Sequence, residues 1–182
     1  MLSKRLKSIA DLVPNNARVI DIGTDHAYLP IYLYENNITK NITASDISSK
    51  VLKSSSDNLK KHNLDDKITL VLSDGLKSIK ENFDVAIIAG MGTHTIKKIL
   101  SASPIPDTLI IQSNNDHYEL RSFLNTLGYK IAKEIVIEDK LHYYIIIKFQ
   151  KGRELLSKEE LLFGKSNNIN YYSYLLDKYQ KI

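Results

Sequence analysis

The residues best suited to chemistry are four aspartates, each at or just past the end of an apolar run: Asp21 and Asp25 around Gly23, then Asp46 and Asp74. Val19-Ile20-Asp21-Ile22-Gly23-Thr24-Asp25-His26-Ala27-Tyr28 reads as a buried strand, a tight loop and a helix start, the first ligand-binding crossover of a Rossmann-type fold. A dinucleotide site needs G-x-G-x-x-G so that bare backbone can approach a pyrophosphate. Here Asp25 stands where the second glycine would be and Tyr28 where the third would be. A carboxylate there repels a diphosphate by several kcal/mol, by order of magnitude, in a poorly screened cleft. It suits a ligand that is cationic at that place. S-adenosylmethionine carries an ammonium and a sulfonium and no phosphate, which makes it the expected ligand.

The other positions follow from strand order. Asp46, with Ile47 beside it, ends strand two, where an acid can accept both ribose hydroxyls of an adenosyl group; it can equally serve as a helix N-terminal acid. Asp74, with Gly75, follows strand three, where an acid can accept from an adenine amino group; an ordinary Asp-Gly turn is the competing use. Asp21, Gly23, Thr24, Asp25 and His26 form the first loop, with Asp21 and Asp25 near the expected ammonium, although Asp21 can instead brace loop amides and His26 can simply pack. Ala89, Gly90, Met91 and Gly92 follow strand four, facing the methyl group, where small residues let a flat base lie against the donor. Gly92 can also serve only to open a helix tightly against the sheet. Gln112 and Asn114, after strand five, carry donors and acceptors suited to a base edge, or are turn residues.

The elements that must hold these residues are five strands at 18–22, 41–45, 67–72, 84–89 and 108–112, alternating with helical segments. An amphipathic helix over 2–12, with Leu2, Leu6 and Ile9 on one side and Lys4, Arg5 and Lys7 outside, covers one end of the sheet. Helices are expected at 27–34, from Ser48 or Ser49 to His62, in a short piece before Glu81, from Gly92 to Ser101, and from Asp116 to Leu127. Then Tyr129–Ile137 and His142–Phe149 are separated by only four residues. That is too few for a parallel crossover, so they form an antiparallel hairpin. The expected fold is an α/β, Rossmann-like class I methyltransferase: a seven-stranded, mostly parallel sheet with an antiparallel last strand, plus short C-terminal helices. Residues 1–150 form the S-adenosylmethionine-binding domain. Residues 151–182 form a short helical appendage, in which Leu156, Leu161, Leu162 and Phe163 suggest one helix. After a break at Asn167–Asn170, Tyr171–Tyr179 suggests another, with Tyr172, Leu175, Leu176 and Tyr179 on one side.

Composition narrows the class. The 182 residues are 43% hydrophobic and 25% charged, ordinary for one globular domain. Cysteine is absent, which excludes disulfides and thiolate chemistry. The histidines and acids show no metal-ligand spacing, so no metal is expected. No apolar run approaches the roughly 20 residues of a membrane span, and no signal sequence opens the chain, so a cytoplasmic protein is expected, with no membrane partner. The net charge of +4 permits a nucleic-acid partner without demanding one.

Leu2-Ser3-Lys4-Arg5-Leu6, Asp21 to Pro30, Asp74-Gly75-Leu76, Ile88-Ala89-Gly90-Met91-Gly92 and Gln112-Ser113-Asn114 occur in that order. Together, over roughly residues 1–150, they resemble the bacterial tRNA (adenine-22-N1)-methyltransferases. The Asp-His-Ala-Tyr-Leu-Pro stretch is the most specific piece. The family usually has Gly where Thr93 stands and Pro where Ser113 stands, both beside the expected base pocket. It also carries a longer C-terminal helical, coiled-coil-like region, which this chain enters only from about Asn168; the sequence is either naturally short or truncated.

The resemblance implies methyl transfer from S-adenosylmethionine to N1 of an adenine in the D-arm of tRNA, by a monomer. Adenine N1 has a free lone pair and loses no proton on attack, so no strong general base is needed. Asp25 can ease the cationic product, Asn114 can orient the base, and Gly92 can give it room. Arg5, Met91, Gln112 and Asn114 are the expected RNA-side residues. Lys4, Lys7, Lys148, Lys151, Arg153 and Lys158 either hold the RNA backbone or only keep the surface soluble. Two other classes fit the same residues: a methyltransferase of a small molecule or protein, and a catalytically idle S-adenosylmethionine-binding module.

Overall fold

The computed structural model describes residues 2–101, 104–139, 142–166 and 168–179. Its strands are β1 (Val19–Ile22), β2 (Ile42–Asp46), β3 (Thr69–Leu72), β4 (Val85–Met91), β5 (Thr108–Ser113), β6 (Tyr129–Asp139) and β7 (His142–Lys151). They form one sheet in the order β3-β2-β1-β4-β5-β7-β6. All pairs are parallel except those of β7, which runs against both β5 and β6. The hairpin expected from the short 138–141 spacing therefore forms, and its second strand inserts between β5 and the first; Lys140 and Leu141 lie outside the described residues.

Alternation along the strands divides the core into two layers. Val19, Ile87 and Ile110 face α1 (Lys4–Ala10), α2 (Tyr28–Glu35) and α3 (Ser49–Lys61). Their neighbours Ile20, Ile88 and Ile111 face α4 (Thr93–Leu100) and α5 (His117–Thr126). Serines start several helices: Ser3 Oγ accepts from Leu6 N, and Ser48 Oγ, rather than Ser49, from Val51 N.

One expected element is missing. The crossover after Asp74 is not a helix but a run of turns, with Lys77 N donating to Asp74 O and Ile79 N to Leu76 O. Gly75 there has φ +62°, and a Cβ on it would stand 3.0 Å from Ile99, so the backbone is pressed against α4 in a left-handed turn that starts no helix.

The N-terminal helix is fastened to the hairpin: Lys4 Nζ donates to Glu138 O at 2.8 Å and Lys148 Nζ to Leu12 O at 3.0 Å. Burial and the nearby Lys133 hold the Lys148 ammonium below its usual range. The C-terminal segment holds α6 (Lys158–Phe163), started by a capping box between Ser157 and Glu160, and α7 (Ile169–Tyr179). The second helix begins two residues earlier than expected, shortening the break at 167–170; Asn167 and the side chains of Leu175 and Tyr179 lie outside the described residues. Leu176 is exposed and Tyr172 packs on the core. An ion pair anchors α6: Arg121, from α5, donates to Glu134 of β6 through Nη2 at 2.6 Å and Nε at 3.2 Å, with the two side chains 1% and 0% exposed. Arg121 Nη1 also donates to Leu161 O, and Lys165 N donates to Glu134 Oε2. Among the described residues no helix is long and apolar enough to cross a membrane.

Candidate active site

Strand order reverses between β1 and β4, since β2 and β3 lie on one side of β1 and the rest of the sheet on the other. Ligands of open α/β sheets bind beyond the carboxyl ends of the strands at such a switch point. A cleft of about 450 Å³ opens there. Asp21, Gly23, Thr24 and Asp25 form one wall, Asp46 comes from β2, and Ala89, Gly90 and Met91 come from β4. Asn114 closes the far side. Arg5 and Leu6 of α1, Tyr28 and Leu29 of α2, and Tyr144 of β7 complete the lining.

The remaining expected donor-site residues stand outside this lining. Ile47 is exposed beside Asp46. The Asp74 carboxylate is held by Lys77 Nζ at 2.5 Å, which keeps it below the usual carboxylate range. Gly75 packs under Ile99. The His26 ring tilts against Tyr28, with centroids 5.5 Å apart, and its Nε2 lies 3.4 Å from Asp25 Oδ1. On the base side, Gly92 precedes α4 beside Asn115, and Gln112 is buried behind Gly90 and Asn114. Tyr144 had no signal in the sequence, because nothing local tells that β7 passes next to the cleft.

The first loop is unusual in its backbone. Gly23 has φ +77°, a left-handed conformation that favours glycine, and the Met91 methyl end packs where a Cβ would stand. Asp25, His26 and Ala27 then follow at φ +27°, +58° and +57°. Three consecutive non-glycine residues in left-handed geometry are strained at a cost of order 1–3 kcal/mol each. The turn is held by Asn58 Nδ2, which donates to His26 O at 2.8 Å, and by the complete burial of Ala27.

The cleft is electronegative. Asp21 is buried, and loss of solvation raises its carboxyl to about 6, with the Asp46 carboxylate adding to the rise. Asp46 Oδ1 accepts from Ser48 N at 2.8 Å, which fixes the carboxylate at the strand end. Thr24 Oγ1 and Ser45 Oγ are buried without hydrogen-bond partners. Arg5 is the one cation among the lining residues, and part of its guanidinium is held. Nη1 donates to Gln112 Oε1 at 2.5 Å, and the group lies 5.4 Å from the centre of the Tyr144 ring.

Beyond Asn114, Thr93 and Ser113 are both buried and bonded to each other, Oγ1 to Oγ at 2.8 Å. Thr93 Oγ1 also reaches Asn115 O, and Thr93 N donates to Asn115 Oδ1. The two positions that depart from the expected Gly and Pro thus form one polar contact across the starts of α4 and the loop after β5. No group of three or more potential metal ligands occurs among the described residues.

Residues 2–147 match a methyltransferase-domain family. The chain is 34% identical over 156 residues to the tRNA (adenine(22)-N(1))-methyltransferase of Bacillus subtilis, covering 83% of this chain and 66% of that enzyme. It is 33% identical over 195 residues to a Mycoplasma genitalium protein named as a candidate tRNA methyltransferase, covering 98% of this chain and 88% of that one. Among solved structures, M. capricolum TrmK in complex with S-adenosyl-homocysteine superposes with a TM-score of 0.93 at 38% identity, over 100% of this chain and 85% of that one.

Proposed function

Because this chain belongs to the bacterial tRNA (adenine-22-N1)-methyltransferase family, we propose that it methylates N1 of adenine 22 in the D-arm of tRNA, with S-adenosylmethionine as donor. The observation that carries the reading is the cleft at the β1/β4 switch point, where three carboxylates, Asp21, Asp25 and Asp46, line the wall against one guanidinium, Arg5. The residues present suit the donor. A volume of about 450 Å³ lies within the usual range of small-ligand sites. The carboxylates complement an ammonium and a ribose diol, and the orphaned Thr24 Oγ1 offers a further polar contact at the cleft wall. The donor supplies a methyl group already activated on a cationic sulfur.

The chain's own work is alignment. Asp21 and Asp25 hold positive charge at the first loop, Asp46 holds the sugar, and the glycines at 23 and 90 let the backbone come close. Asp74, one strand further along and paired with Lys77, would accept from the adenine amino group. Adenine N1 attacks with its lone pair and surrenders no proton, so the chain has no base to provide; Asn114 orients the ring and Gly92 leaves it room. The product ring is cationic, and the negative cleft with Asp25 at its mouth stabilises it. A base stacked in the folded D-arm must first be extruded, at a cost of a few kcal/mol. Residues 1–150 act as the donor-binding domain and 151–182 as a helical appendage, in a cytoplasmic monomer.

The experiment is transfer of labelled methyl from S-adenosylmethionine to unmodified tRNA, followed by nucleoside analysis. Label is expected in 1-methyladenosine and is lost when adenine 22 is replaced. Donor binding, abolished by Asp46→Ala but without transfer to any tRNA, would sink the substrate assignment and leave a binding module or an enzyme of another substrate.

A further inference from the structure

Arg5, Gln112, Gly90 and Asn114 form a closed set of hydrogen bonds whose direction is fixed at every link. A guanidinium can only donate. Arg5 Nη1 therefore requires the carbonyl end of the Gln112 side chain, and Gly90 N donates to the same Oε1 at 3.1 Å. Gln112 Nε2 is thereby turned the other way and donates to Ser113 O at 2.9 Å and to Asn114 Oδ1 at 3.0 Å. With its oxygen occupied, Asn114 turns its amide nitrogen inward, and Nδ2 donates to Gly90 O at 2.8 Å. One N–H of Asn114 remains, on a side chain that lines the cleft. The two ends of Gly90 grip the two amides, and Arg5 is the charged stop behind them.

We infer that Arg5 is a positioning residue for methyl transfer: through Gln112 it locks Asn114 so that an N–H, and not a carbonyl, faces the target base. This rests on the reading that Asn114 orients the adenine. It assigns Arg5 a place in the site floor instead of on the RNA backbone, although it sits on α1 between exposed lysines. Arg5 is half-buried against Tyr144, and Gln112 holds one of its N–H groups, which turns the guanidinium toward the site floor. An Asn114 N–H can pair with adenine N7, which leaves the N1 lone pair free to attack.

The test uses the full chain and unmodified tRNA, with Arg5→Gln, Gln112→Glu, Asn114→Ala and the Arg5→Gln/Asn114→Ala pair. Loss of alignment lowers kcat on the order of tenfold to a hundredfold. Arg5→Gln is expected to show that fall with donor affinity unchanged, and to add nothing in the Asn114→Ala background. Gln112→Glu keeps the acceptor for Arg5 and Gly90 but cannot donate to Asn114 Oδ1, so it must lose kcat as well. A rise in KM for tRNA with kcat intact in Arg5→Gln would make Arg5 an RNA contact and overturn the inference; so would full activity in Gln112→Glu, or losses that multiply in the double variant. If the wild-type protein transfers no methyl to tRNA, the functional reading itself fails. The relay is then judged by the Asn114 side-chain amide resonances: displacement in Arg5→Gln supports it, and unmoved resonances overturn it.

Discussion

Asp21 and Glu134 are both withdrawn from water, and their surroundings could hardly differ more. Glu134 meets the forked face of Arg121 through two bonds and takes a third from Lys165 N, and Arg121 spends a further donor on Leu161 O. Its charge is answered by the chain itself. Among the described residues no cation pairs with Asp21; burial raises its carboxyl to about 6, and the Asp46 carboxylate adds to the rise. One region is finished by folding. The other stays electrostatically incomplete, and that unanswered charge is the physical basis for binding a cationic ligand there.

The sharpest way to break the contrast is to unpair Glu134. Arg121→Ala strands a buried carboxylate and is expected to cost about 3–5 kcal/mol in denaturant unfolding, and to release α6 from α5. A loss below about 1 kcal/mol would show that water reaches the pair and that the clamp is ordinary surface chemistry.

The same operation on the other side has the opposite sign. Asp21→Asn removes an unpaired charge and is expected to stabilise the ligand-free protein by about 1–3 kcal/mol near pH 7.5, while weakening donor binding by roughly tenfold or more. The pH course follows from linkage. The folded carboxyl, at about 6, holds its proton more tightly than the unfolded one, near 3.8. Its penalty is therefore absent below about pH 4, grows as pH rises to 6, and is full above that. Thermal melts of wild type and Asp21→Asn should converge as pH falls from 7 to 4 and separate again on the return. Curves that stay parallel across that window would deny Asp21 its raised value.

The smallest effect is expected where a pair is exposed. Arg18 and Asp84 meet at 2.8 Å with both side chains about half exposed. Asp84→Asn should leave the unfolding midpoint unmoved within error, and a clear loss would mean that pairing alone, without burial, accounts for the clamp at Arg121.

The sequence made the donor side of this contrast readable. The β-branched run into Asp21, the single glycine, and an acid in the place of a fingerprint glycine are all local signals, and strand order alone brings Asp46 alongside. The Arg121–Glu134 clamp was invisible because its members lie on a helix and a strand, and only packing shows that both point inward. Nothing local in the sequence reveals that Gln112 receives Arg5. The turn after Asp74 is not legible in the sequence, because only packing shows that Ile99 of the neighbouring helix presses on Gly75.

The docking of α1 on the hairpin sets a schedule. Arg5 and Leu6 leave the ribosome more than 130 residues ahead of Glu138, Tyr144 and Lys148, which hold or flank their helix. At ordinary rates of synthesis α1 waits roughly ten to thirty seconds for its partners. A nascent chain can assemble β1 to β5 and their acids in that interval, yet it cannot close the cleft or complete the amide relay. The cleft therefore closes in one step, once β7 has been made and α1 can dock on it.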